Sequence, residues 1–161
     1  MKIYSTTSLL TDIFIKLSLG LIFFNYGYGK MESLISGDHQ RLVNMVSTIP
    51  VFQYYPLFFS WCAALSETII IFALIYGIFI SLPYSTLITK IAGVLSFILS
   101  FVICYQHIFV WGDNIFQYGP FTFLNVEDGK KSIFGQFLLI PLSMYVIFNA
   151  KAIYHMPSEN K

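Results

Sequence analysis

The chain has 161 residues, of which 57% are hydrophobic, 19% aromatic and only 11% charged, with a formal net charge of +1. A chain this apolar has too little polar surface to coat a soluble globule, and a net charge this small supplies no field for holding a nucleic acid. Its two cysteines, Cys62 and Cys104, both lie inside apolar stretches, which excludes a secreted disulfide framework read from spacing.

Crossing about 30 Å of hydrocarbon takes roughly 20 helical residues. The whole chain, residues 1–161, therefore reads as one all-α integral membrane domain, an antiparallel bundle of four transmembrane helices. The first span is expected over about 9–29, with Asp12 and Lys16 near its end, where a long side chain snorkels to the headgroups. Lys2 precedes the apolar run and no small-residue cleavage site follows it, so this helix reads as an uncleaved anchor. A polar stretch from Glu32 to Thr48 reads as an extramembrane loop with room for a short interfacial helix, and Pro50 and Pro56 punctuate the approach to the next span.

The second span is expected over about 57–82, closed by Pro83, and the third over about 87–110, ending in an aromatic cluster around His107 and Trp111. After a polar and aromatic loop from Trp111 to Ser132, the fourth is expected over about 133–153. With four spans, Lys2, Lys16, Lys90, Lys151 and Lys161 share one side and Lys30, Arg41, Lys130 and Lys131 the other. That small excess puts both termini in the cytoplasm.

Within lipid, helices associate through stripes of small residues. Lys16, Gly20, Phe23, Gly27 and Lys30 form one such stripe on the first helix. Thr89, Gly93, Ser96, Ser100, Ile103 and His107 form another on the third, and Gly135, Leu138, Leu142, Tyr145 and Asn149 a thinner one on the fourth. Glu67 breaks the pattern of apolar and small residues. A carboxylate deep in a span costs roughly 2.5 to 3.5 kcal/mol, so it either faces a partner or binds something. Asn25, Tyr26 and Lys30 of the first helix are the candidate partners, and the bland alternative is a Glu that only ties helices together.

His107 stands alone, without a second ligand at helical spacing, so neither a metal nor a haem site is expected. The run Gly27-Tyr28-Gly29-Lys30 ends a membrane helix and has no preceding strand, which removes it as a phosphate-binding loop. Cys62 and Cys104 lie at similar depths in the second and third spans. They would form a thiol pair only if those faces meet with Cα atoms within about 7 Å, and otherwise they are buried small hydrophobes.

Leu19-Gly20-Leu21-Ile22-Phe23-Phe24, followed by Gly27 and Lys30, a loop leading to Ile49-Pro50, Glu67 with Gly77, and finally His107 give the chain a likeness over nearly its whole length. It resembles the DoxX family of small four-helix membrane proteins, related to the DoxD subunit of thiosulfate:quinone oxidoreductases. Phe148-Asn149-Ala150-Lys151 stands where many relatives carry a Gly-rich stretch followed by Ser and Asp, and the basic residue often found after the second helix is missing beside Pro83. The resemblance implies a bacterial-type inner-membrane protein associated with quinone-linked or thiol redox systems.

The expected function is then a membrane component of a redox or oxidative-stress system that binds a quinone on the non-cytoplasmic side. Glu67 would exchange the proton, and Lys30, Tyr26, Asn25 and His107 would surround the head group. No intrinsic cofactor is expected, so electrons would come from a membrane or soluble redox partner protein. The alternatives are a noncatalytic scaffold or assembly factor, with self-association open to it, and, less favoured, a small transporter.

Overall fold

The computed structural model describes residues 6–79, 82–110 and 134–150. Every regular element among them is helical. In chain order these are α1 (Thr6–Ser36), α2 (Gln40–Ser47), α3 (Pro56–Tyr76), α4 (Ser85–Tyr105) with a π-helical continuation over Gln106–Val110, and α5 (Phe134–Asn149). Three stretches, Leu9–Ser36, Pro56–Tyr76 and Ser85–Val110, are long and apolar enough to cross a membrane, and Gly135–Asn149 is a shorter apolar helix.

The helix ends follow local chemistry. α1 runs seven residues past the expected boundary and takes in Glu32, because nothing breaks it before Gly37. There the backbone turns to φ +84°, a left-handed conformation that glycine adopts at little cost. α3 starts on Pro56, whose missing N–H is one that the first turn leaves unbonded in any case. It ends six residues earlier than expected, at Tyr76. Ile78 and Phe79 donate to carbonyls three residues back, tightening the last turn, and the Tyr76 hydroxyl donates to the Pro83 carbonyl at 2.9 Å.

α3 packs against α1, α2 and α4, while α5 packs against α4 and α1. The buried face of α3 is Ser60, Ala64, Glu67, Ile70, Ile71 and Leu74, close to a repeat of four and three. The stripes expected on the first and third helices are the buried faces of α1 and α4. Lys16, Gly20, Phe23 and Gly27 are buried on α1, and Thr89, Gly93, Ser96, Ser100 and His107 on α4. On α5 the expected stripe is displaced by one position: Leu139, Ser143, Val146 and Ala150 are buried, whereas Gly135 and Leu138 are exposed. Val146 and Ile147 meet Gly93 of α4 there, so the contact surface is set by what the glycine admits.

Leu19, Phe23, Ile70, Leu74, Ala92, Leu139 and Val146 form the main apolar cluster. A second cluster, Leu34, Leu42, Val46 and Ala64, seats the amphipathic α2 on α1 and α3. Asp12 and Lys16 do not reach outward as expected. Both are almost fully buried, paired at 2.7 Å, and the Lys16 ammonium also donates to the Gly77 carbonyl at 3.2 Å. That carbonyl stands just past the C-terminal end of α3, within reach of the Lys16 ammonium inside the protein.

Candidate functional site

Gly27 builds the site. A Cβ there would lie 2.6 Å from the Thr68 backbone nitrogen, so only a glycine lets α1 approach α3 this closely. Lys30 follows three residues later, on the same face, and its ammonium donates to Oε1 of Glu67. Glu67 lies eleven residues into α3, about 16 Å from the helix start. Its side chain is 1% exposed against 22% for Lys30, and its second oxygen, Oε2, has no hydrogen-bond partner among the described residues.

The pair closes one end of a cavity of about 180 Å³ between α3 and α4. The α3 wall is Phe59, Cys62, Ala63, Ser66 and Glu67, and the α4 wall is Leu95, Ile98, Leu99, Val102 and Ile103, with Gln106 beyond. Leu42, Met45 and Val46 of α2, with Ile49 and Phe52 after it, form the roof. Gln106 holds the roof down by donating from Nε2 to the Met45 carbonyl at 3.0 Å, from the point where α4 widens into its π-helical turn. Such turns recur at functional sites because they re-aim a side chain without ending the helix.

Of the residues singled out in the sequence, Glu67, Lys30 and Cys62 line the cavity. Asn25 and Tyr26 are exposed and stand off its wall, although Tyr26 lies within electrostatic range of Glu67. His107 is buried in the π-helical turn, one position beyond Gln106 and off the wall. Cys62 and Cys104 are both free thiols, and Cys104 is buried on α4 away from the cavity lining. Ser66 and Gln106 are polar lining residues that sequence reasoning passed over, Gln106 in favour of its neighbour. A π-helical turn shifts the facing position by one residue, and no sequence signal announces it.

Asp12 and Lys16 form a second polar cluster with Gly77 at the other end of the α1–α3 contact, with Tyr145 of α5 in electrostatic range. Oδ1 of Asp12 has no hydrogen-bond partner among the described residues. Among the described residues no three His, Cys, Asp or Glu side chains gather as a metal-ligand set.

The arrangement is a carboxyl group beside a largely apolar cavity, with one oxygen held by an ammonium and the other buried without a hydrogen-bond partner among the described residues. Such a group is able to donate to or accept from a neutral oxygen, and the Lys30 ammonium beside it offsets its charge. In comparisons with protein families, with curated proteins and with solved structures, no match to this chain was found.

Proposed function

We propose that the chain is a DoxX-like inner-membrane protein that binds a quinone in the α2-roofed cavity as a component of a redox or oxidative-stress system. In this reading α1, α3, α4 and α5 are four antiparallel spans, the termini are cytoplasmic and the cavity lies towards the non-cytoplasmic face. Support for a lipid setting comes from the outward side chains: Phe14, Phe58, Phe72, Phe109 and Phe148 are each more than 60% exposed, apolar surface of the kind that marks contact with a membrane or a partner.

The observation that carries the quinone reading is a buried carboxyl group, Glu67, in the largely apolar lining of the cavity, with an Oε2 that has no hydrogen-bond partner among the described residues. A quinone carbonyl presents the neutral acceptor, and its reduced phenol the neutral donor, that a carboxyl group in this position serves. Lys30 steadies the other oxygen and shares the proton. Electrons come from a separate partner.

Glu67→Gln tests the reading, because it keeps shape and hydrogen bonding while removing the titrating group, and the partly exposed Lys30 is left free to turn outward. The variant is expected to fold and to lose quinone that coextracts with the wild-type protein. A scaffold role is favoured by a different observation, that both buried ion pairs fasten α1, through Glu67 and Gly77, to α3 and the turn after it. Full quinone content and full activity in Glu67→Gln, with an unstable Glu67→Ala, would put that role first.

A further inference from the structure

The walls of the cavity and its roof are held by different kinds of contact. Three contacts between the long helices close on glycines: a Cβ at Gly27 would meet the Thr68 backbone, one at Gly77 would overlap Oγ1 of Thr89, and one at Gly93 would press on Ile147 and Val146. Parting helices at such seams forfeits close packing along their whole length. The roof is held more lightly. α2 has eight residues, fewer than the roughly 12 to 15 at which a helix in water sustains itself, and no side-chain hydrogen bond caps its first turn at His39 among the described residues. It buries Leu42 and Val46 beside Leu34 and Ala64, and Gln106 of the π-helical turn donates to its Met45 carbonyl.

The two ends of α2 differ as well. On the α1 side stands Gly37, at φ +84° and with nothing within 4 Å of where a Cβ would be. On the other side Phe52 stacks on Phe59 of α3 with ring centroids 4.4 Å apart, which pins the following turn to the cavity wall. We propose that α2 is a lid over the cavity, swinging between Gly37 and the pinned turn, and that Gln106 is its latch. Of the elements enclosing the cavity it costs least to displace, because two buried side chains and the latch oppose its opening while the long helices stay in contact. Opening bares Cys62, on the α3 wall beneath the roof, to water. The lid is independent of which ligand the cavity takes.

The test times two thiols in one protein. The full-length chain in detergent is treated with sulfonatoethyl methanethiosulfonate, a small charged reagent that stays in water, and labelling of Cys62 and Cys104 is followed by peptide mass spectrometry. Both thiols are free, Cys62 on the cavity wall and Cys104 buried off it. A lid therefore exposes the first alone, whereas loosening of the whole bundle exposes both. Gln106→Leu keeps most of the bulk and removes the donor, and is expected to speed labelling of Cys62 about fivefold, the worth of one hydrogen bond. Leu42→Ala weakens the seat of the lid on a different element from Cys104 and should speed it about tenfold or more. It decides the outcome alone if Gln106→Leu does not fold. Cys104 should change less than about twofold in either variant. An unchanged Cys62 rate in Leu42→Ala, or equal acceleration of the two thiols there, would overturn the lid, and an unchanged rate in Gln106→Leu would overturn the latch. A wild-type Cys62 that already reacts as fast as a thiol in the unfolded chain would overturn both.

Discussion

Lys16 is a cation held almost entirely out of solvent by one carboxylate and one carbonyl, and its energetics differ from those of a surface pair. Deleting one member of a buried pair strands the other and costs about 3–5 kcal/mol, whereas deleting both is often nearly neutral. Lys16→Met is therefore expected to lower thermal stability in detergent steeply, and Asp12→Leu/Lys16→Met to recover most of the loss; additive losses would show that the pair is not coupled. The serines and threonines of the seams behave differently. Ser60, Thr68, Thr89, Ser96, Ser100 and Ser143 each donate to the carbonyl four residues back in their own helix. They serve as small, internally satisfied spacers and do not bridge helices. Their placement was legible from spacing on α4, but the inward turn of Lys16 was not. A flexible side chain near a helix end has two destinations, and Asp12 with the Gly77 carbonyl decides between them.

Two glycines on one face of the question separate packing from propensity on α1. A Cβ at Gly27 meets Thr68 backbone and side-chain atoms at 2.6 Å, while one at Gly29 meets nothing within 4 Å. Gly27→Ala is expected to destabilise by about 1–3 kcal/mol through overpacking, and Gly29→Ala to stabilise by up to about 1 kcal/mol through helix propensity. Thermal unfolding of the two variants should move in opposite directions, and equal tolerance would remove the α1–α3 contact as described. Since Lys30 follows on the same face, Gly27→Leu should also separate Lys30 from Glu67 and reduce bound quinone more than Gly29→Leu does. The small-residue pattern made this contact readable in the sequence, because close backbone approach leaves no other residue type. On α5 the same reasoning selected Gly135 and missed Ser143, since a single glycine at an exposed end carries no information about the facing helix. Residues 133 and 151–153 of the expected fourth helix, 80 and 81 of the expected second, and the loop from Trp111 to Ser132 lie outside the described residues.

The two buried ion pairs are spaced along α1 by fourteen residues, about 21 Å, and the apolar cluster of Leu19, Phe23, Ile70 and Leu74 fills the interval. The two pairs thus stand at opposite ends of the α1–α3 contact, and if Glu67 exchanges a proton as proposed, orientation sets the side from which it does so. Which side is a question of how α3 crosses. Ser36 and Tyr84 are both exposed and flank a stretch that contains one long apolar helix, Pro56–Tyr76, beside the short polar α2. If α3 spans the bilayer, single cysteines at these two positions must face opposite compartments. In a background of Cys62→Ser and Cys104→Ala, Ser36→Cys is expected to react with an impermeant maleimide on intact cells. Tyr84→Cys should react only after the membrane is opened, in line with the modest excess of lysines assigned to its side. The reverse pattern would keep the crossing but turn the cavity towards the cytoplasm, where a reducing partner would have to dock from within. Labelling of both positions from the same side would mean that α3 does not cross, and would remove the membrane-embedded setting on which a neutral head group at Glu67 depends.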